Sequence, residues 1–190
     1  MTAQAFQLKV RILDIEPEIW RRILVPADMN LLDLHVVIQG AMGWEDSHLH
    51  MFEIRSWQFE LPEDDRRRPE PGHKDERRAR LSQLLSKGAA FKYVYDFGDQ
   101  WEHVVDVEDV LASAPDRTLP CCVDGARACP PEDCGGPYGY AEMLLALADA
   151  THPDHQDLLE WVGEFDPEAF DAAASNKSIA EARRHYRKRR

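Results

Sequence analysis

The stretch "FKYVYDFGDQWEHVVDVE", residues 91–108, decides how this chain folds. Both halves alternate. Phe91, Tyr93, Tyr95 and Phe97 share one face of the first half, and Trp101, His103, Val105 and Val107 share one face of the second. Side chains repeat every two residues along a strand, so each half reads as a strand with an apolar face. Gly98-Asp99 between them is a turn pair, in which glycine supplies a positive φ and aspartate bonds the turn backbone. The spacing predicts an antiparallel hairpin. The stretch also gathers Asp96, Asp99, Trp101 and His103 around one turn, which makes it the first place to look for a site. The triplet "DFG" matches the metal-binding triplet of protein kinases. Without a glycine-rich phosphate loop or a His-Arg-Asp catalytic loop, it does not make this chain a kinase.

Upstream, "FQLKVRI" (6–12) alternates strictly and "IWRRILV" (19–25) follows a short polar connection. These read as a second hairpin, ended by Pro26. Asn30 is a good N-cap. Leu31, Leu34, His35, Ile38 and Met42 then recur at helical spacing, and Gly43 is placed to stop a helix. "HLHMFEIRS" (48–56) returns to strand period, with His48, His50, Phe52 and Ile54 on one face. Residues 62–80 carry charge and proline without apolar periodicity and read as a mobile excursion. "LSQLL" (81–85) is a short helix or turn. Residues 115–139 read as a Pro/Gly/Cys-rich loop, followed by helices over 140–150 and 153–162. A third helix is expected from "FDPEAF", with Asp166 capping it and Pro167 in its first turn. The sum is one α+β domain over 1–190, with its core at about 5–180. It should hold an antiparallel-rich sheet of about five strands, one packed helix and a C-terminal helical segment.

At 190 residues the chain can bury a real core. It has no apolar run of the roughly 20 residues that span a bilayer, and no signal peptide is visible. A cytoplasmic location is therefore expected, with no membrane partner and with Cys121, Cys122, Cys129 and Cys134 reduced or ligating metal. The net charge of −12 argues against a broad DNA-binding face. The tail "RRHYRKRR" (183–190) is the exception. Removing the six positive charges of Arg183, Arg184, Arg187, Lys188, Arg189 and Arg190 leaves the remainder at −18. That tail is either a solvated, frayed end or an arm for weak nucleic-acid contact.

Two groups have metal-ligating chemistry. His48 and His50 present two imidazoles on one side of a strand, and Asp96, Asp99 and His103 can be aimed at them by the hairpin. Imidazole with carboxylate suits acid–base work or a metal shell. Cys122, Cys129 and Cys134 sit in a stiff loop with Glu132 and Asp133, although their spacing departs from the usual zinc pairs. Zinc is the cofactor either group would take. The alternatives are a structural hairpin and buried, inert thiols. No nucleophile elbow, phosphate loop or dinucleotide fingerprint is present, so catalysis has no motif support.

In order, "IWRRILVP", "LHVVIQGAMGW", "HLHMFEI", "YVYDFGDQWEH", "CPPEDCGGPYGY" and "HPDHQDLLEWVGEFDPEAFD" resemble the Ri-plasmid ORF-three-like family over about residues 5–180. Its members are also labelled insertion-sequence passenger proteins of a resolvase-like kind. The resemblance implies an α+β domain tied to plasmids and mobile elements, and it implies no reaction. The family's recurring polar positions fall here on His48, Asp96, Gly98, Asp99, Trp101, His103, Pro131, Glu132, Asp133, Gly135, Gly136, Trp161, Asp166 and Pro167. A serine recombinase needs a nucleophilic serine beside clustered arginines, and no serine of this chain is so placed. The leading expectation is a non-enzymatic binding or accessory module whose partner is a protein or small ligand. The alternatives are a metal-dependent hydrolase or nuclease using the His/Asp cluster, and a DNA-associated regulator acting through the tail.

Overall fold

The computed structural model describes residues 4–62, 71–112 and 117–189. Strand β1 (Ala5–Ile12) pairs antiparallel with β2 (Trp20–Pro26), with Phe6 opposite Val25 and Arg11 opposite Trp20. Helix α1 (Leu31–Met42) starts where Asn30 Oδ1 accepts from Asp33 N at 2.7 Å and stops at left-handed Gly43. These are the signals the sequence carries. Strands β3 (His50–Ile54), β4 (Trp57–Glu60) and β5 (His73–Asp75) follow. A 3₁₀ turn at Glu76–Arg78 and the short α2 (Leu81–Leu84) lead into β6 (Ala90–Tyr95) and β7 (Trp101–Leu111). Strand β8 (Cys121–Ala126) precedes α3 (Gly136–Ala148), α4 (His155–Val162) and α5 (Ala172–Arg189).

The sheet has eight strands in the order β5-β4-β3-β6-β7-β1-β2-β8, and only β4–β5 is parallel among the pairs described. Directly opposed residues share a face. Phe52 opposes Tyr93, Tyr93 opposes His103, and His103 opposes Ile12, so one row of side chains crosses four strands. Helix α1 lies over that face and α5 lies over α1, which is why every residue of α1 except Asp33 is buried. The two helices nearly touch at Gly40, where a Cβ would stand 2.6 Å from the Ile179 Cα. Only glycine allows that approach.

The structure corrects the expected sheet, excursion, last helix and tail. The sheet has eight strands rather than about five. The three extra are β4, β5 and β8: β5 lies in the charged excursion and β8 in the Cys-rich loop. Residues 63–70 of the excursion lie outside the described residues, but 71–80 are ordered around Glu76, which is fully buried. The last helix begins at Ala172, not at Asp166. Asp171 Oδ1 accepts from Ala173 N at 2.7 Å and starts it, while Asp166 only closes a turn onto Glu168 N. The 183–189 tail is not frayed: it continues α5, and its Arg183 is partly buried, with its pKa lowered first by that burial.

Candidate functional site

The β6–β7 hairpin pairs from Ala90↔Asp106 to Tyr95↔Trp101, but its turn is not the two-residue one expected. Residues 96–100 form the loop. Asp96 and Gln100 take the positive φ, at 55° and 56°, and Gln100 N donates to Asp96 O at 2.7 Å. Gly98 N donates to Asp96 Oδ1 at 2.8 Å. Asp99 does not bond this turn. Its Oδ2 accepts from Gly135 N at 2.9 Å and fastens the hairpin tip to the loop before α3. Gly136, at φ +70, lies so close that a Cβ there would overlap the Asp99 carbonyl oxygen. "GG" at 135–136 is thus a docking surface for the hairpin.

A second set of bonds fixes the 44–49 loop to the same place. Trp44 Nε1 donates to Pro130 O at 3.0 Å, and Glu45 N to Glu132 Oε1 at 2.8 Å. The Tyr95 hydroxyl accepts from Ser47 N at 3.1 Å and donates to Glu132 Oε1 at 3.0 Å. Burial and the neighbouring Glu132 charge push the Tyr95 pKa upward, so the phenol stays protonated and can donate. Three loops therefore meet, and each turns through an aspartate with positive φ: Asp46 at 58°, Asp96 at 55° and Asp133 at 57°. Aspartate tolerates this conformation better than most residues, and strain of this sort collects at sites.

At their meeting point lies the His48 imidazole. Asp133 Oδ1 is 3.0 Å from its Nε2, Asp96 Oδ2 3.6 Å and Glu132 Oε2 3.8 Å. Nε2 is shielded from solvent and yet has no hydrogen-bond partner. The 3.0 Å approach of Asp133 does not follow a hydrogen-bond direction, so proximity alone does not satisfy the nitrogen. The ligand atoms of His48, Asp96 and Asp133 all lie within 4.8 Å of one another. A tetrahedral ion with bonds of about 2.1 Å separates its ligands by about 3.4 Å. Small side-chain movements would therefore place all three on one ion. One imidazole nitrogen with carboxylate oxygens suits Zn²⁺ or Mn²⁺. Burial raises the Glu132 pKa, against the bonds from Glu45 and Tyr95, and so favours a proton or a cation beside it.

The other candidates are placed elsewhere. His50 Nε2 meets the buried Glu76 carboxylate at 2.9 Å, and its ring stacks on His35 with centroids 3.4 Å apart at 4°. His35 in turn bonds Tyr93 Oη at 2.8 Å and Asp46 Oδ1 at 2.9 Å. Although His35, Asp46 and His50 also have neighbouring ligand atoms, parallel rings 3.4 Å apart cannot both aim in-plane lone pairs at one ion. This is a hydrogen-bonded network. His103 is fully buried, and its Nδ1 points at Trp101 O at 2.9 Å. It shares the face of His50, but Tyr93 stands between them, so no shared imidazole site exists. Trp101 is a core side chain at 1% exposure. Among the described residues, the Cys122, Cys129 and Cys134 sulphurs do not converge with one another or with other ligand atoms as the His48 group does. Burial raises all three thiol pKa values, that of Cys134 to about 12, so they are protonated. Glu76 and His35 were not candidates from sequence: one sat in a charge run and the other on a helical apolar stripe.

Three comparisons bear on this arrangement. The chain is 42% identical over 180 residues to an uncharacterised protein, y4hQ, of Sinorhizobium fredii, covering 94% of this chain and 89% of that one. A crystal structure of a protein of unknown function from Methanosarcina mazei, MM3350, superposes with a TM-score of 0.83 at 38% identity, covering 91% of this chain and 98% of that one. The model of the plasmid pRiA4b ORF-3-like proteins matches residues 4–174, which contain both hairpins, the 44–49 loop and the Glu132-Asp133 loop. By its motifs, its fold and this match over most of its length, the chain belongs to the plasmid pRiA4b ORF-3-like family.

Proposed function

We propose that this protein is a binding module that holds a divalent cation, Zn²⁺ or Mn²⁺, on His48, Asp96 and Asp133, with Glu132 beside them. The observation that carries this reading is His48 Nε2, dry, unbonded and faced by three carboxylates. Carboxylates crowded around one imidazole repel one another, and a cation held between them reverses the sign. The family's plasmid description supports an accessory role in a mobile element. The test is calorimetric titration of chelator-treated protein with ZnCl₂ and MnCl₂. Wild-type protein should bind one equivalent, and His48→Ala and Asp96→Asn should each weaken binding at least tenfold while circular dichroism stays unchanged. Equal affinity in the variants, or no heat with either metal, overturns the reading.

A metal-dependent hydrolase is the second reading, favoured by one observation. The Asp133 side chain is 71% exposed, so one side of the cluster opens to solvent. Three protein ligands leave a position for water, as in catalytic zinc sites. Cleavage of bis(p-nitrophenyl) phosphate that requires the metal and is lost in His48→Ala supports it. Absence of turnover by metal-loaded protein leaves the binding module alone.

A further inference from the structure

Arg21, on β2, is 4% exposed and forms no ion pair among the described residues. Its neighbours differ: Arg22 bonds Glu108 and Asp124, and Arg127 bonds Glu168. Arg21 Nε donates to Ala41 O at 3.0 Å, and Nη1 donates to Trp20 O at 2.8 Å and Ala126 O at 2.9 Å. The Phe170 ring covers one face of the guanidinium, 4.7 Å from its central carbon. Capping of the α1 C-terminus accounts for Nε. Nothing in these bonds engages Nη2, which carries two N–H donors.

Arg21 lines a cleft of about 410 Å³ between the end of α1 and the start of α5. Its walls include Ala128, Cys129, Phe170, Ala174 and Ser178. The other charged residue lining the cleft is Asp171, whose Oδ1 accepts from Ala173 N. The volume falls within the range of small-molecule sites, about 300–1,000 Å³. We propose that this cleft binds a small organic monocarboxylate, its carboxylate on Arg21 Nη2 and its hydrocarbon tail against the alanines and Phe170. A single cation matches a single negative charge. A phosphate dianion would place a second charge beside Asp171 and leave its remaining oxygens against apolar walls.

The probe is butyrate, titrated into the full chain and followed by ¹H–¹⁵N NMR, with inorganic phosphate and butylammonium as controls. Butyrate should shift the amides of residues 169–175 saturably, and the controls should not. Ala174→Trp closes the cleft from an exposed position and leaves Arg21 in place; it should weaken butyrate binding at least tenfold. Arg21→Gln should do the same if it folds. Unweakened binding to Ala174→Trp overturns the proposal. So does phosphate binding as well as butyrate, or no saturable shift with butyrate.

Discussion

His103 and His35 are held neutral by burial, and each makes stability fall in acid. Burial pushes each down to about 4, from about 6.5 in an unfolded chain. Between those values the unfolded chain binds a proton that the folded chain refuses. Stability is therefore full above about pH 6.5 and falls as the pH drops toward 4, by up to about 3 kcal/mol for each ring. Urea midpoints should decline steadily over that window, and His103→Leu, which has nothing to titrate, should flatten part of the slope. A wild-type profile level from pH 7 to 4.5 contradicts the assignment. At this scale the sequence is partly legible. His48, Asp96 and Asp133 stand out as polar residues beside turns. Glu76 does not, because in a run of alternating charges nothing distinguishes the one carboxylate that a fold will enclose. His103 stands out but belongs to the core: alternation shows which face it shares, not how deeply that face is covered.

Elements are tied to one another at a few points, and those points can be broken singly. The Asp99–Gly135 bond joins the hairpin tip to the start of α3. It is a charge-assisted but exposed bond, so Asp99→Ala should cost about 1 kcal/mol in urea denaturation. Gly136→Ala meets both a left-handed backbone and the Asp99 carbonyl. It should cost at least about 2 kcal/mol. A Gly136→Ala change no worse than Asp99→Ala would mean the contact is loose. The basic end of α5 gives a separate expectation. Residues 183–190 carry six Lys/Arg and no acid in an otherwise acidic chain, so any DNA affinity should be weak, fall steeply with salt and vanish on deleting them. Salt-insensitive binding by the shortened chain would point to a reader elsewhere. Both hairpins and α1 are legible because period, cap and stop signal agree. β8 is not, because "CCVDGA" has neither alternation nor β-branched residues beyond Val123. Pairing with β2 makes it a strand. The start of α5 is misplaced because Asp166-Pro167 and Asp171 are both good caps, and only packing chooses between them.

In the whole molecule the sheet is a platform, and the candidate site lies where its loops converge. Strands β3, β6 and β7 bring His50, Tyr95 and Trp101 into one row, and the loops leaving that row carry His48, Asp96 and Asp99. The 130–135 loop then closes over them through Trp44, Glu45, Tyr95 and Asp99. No helix among the described residues is long and apolar enough to cross a membrane. On the function proposed above, this convergence holds a cation. Anomalous diffraction from crystals grown with ZnCl₂ or MnCl₂ tests it most directly. The predicted result is a single strong peak about 2.0–2.3 Å from His48 Nε2 and from oxygens of Asp96 and Asp133. A peak at the cysteines or between His35 and His50, with none at His48, would contradict it.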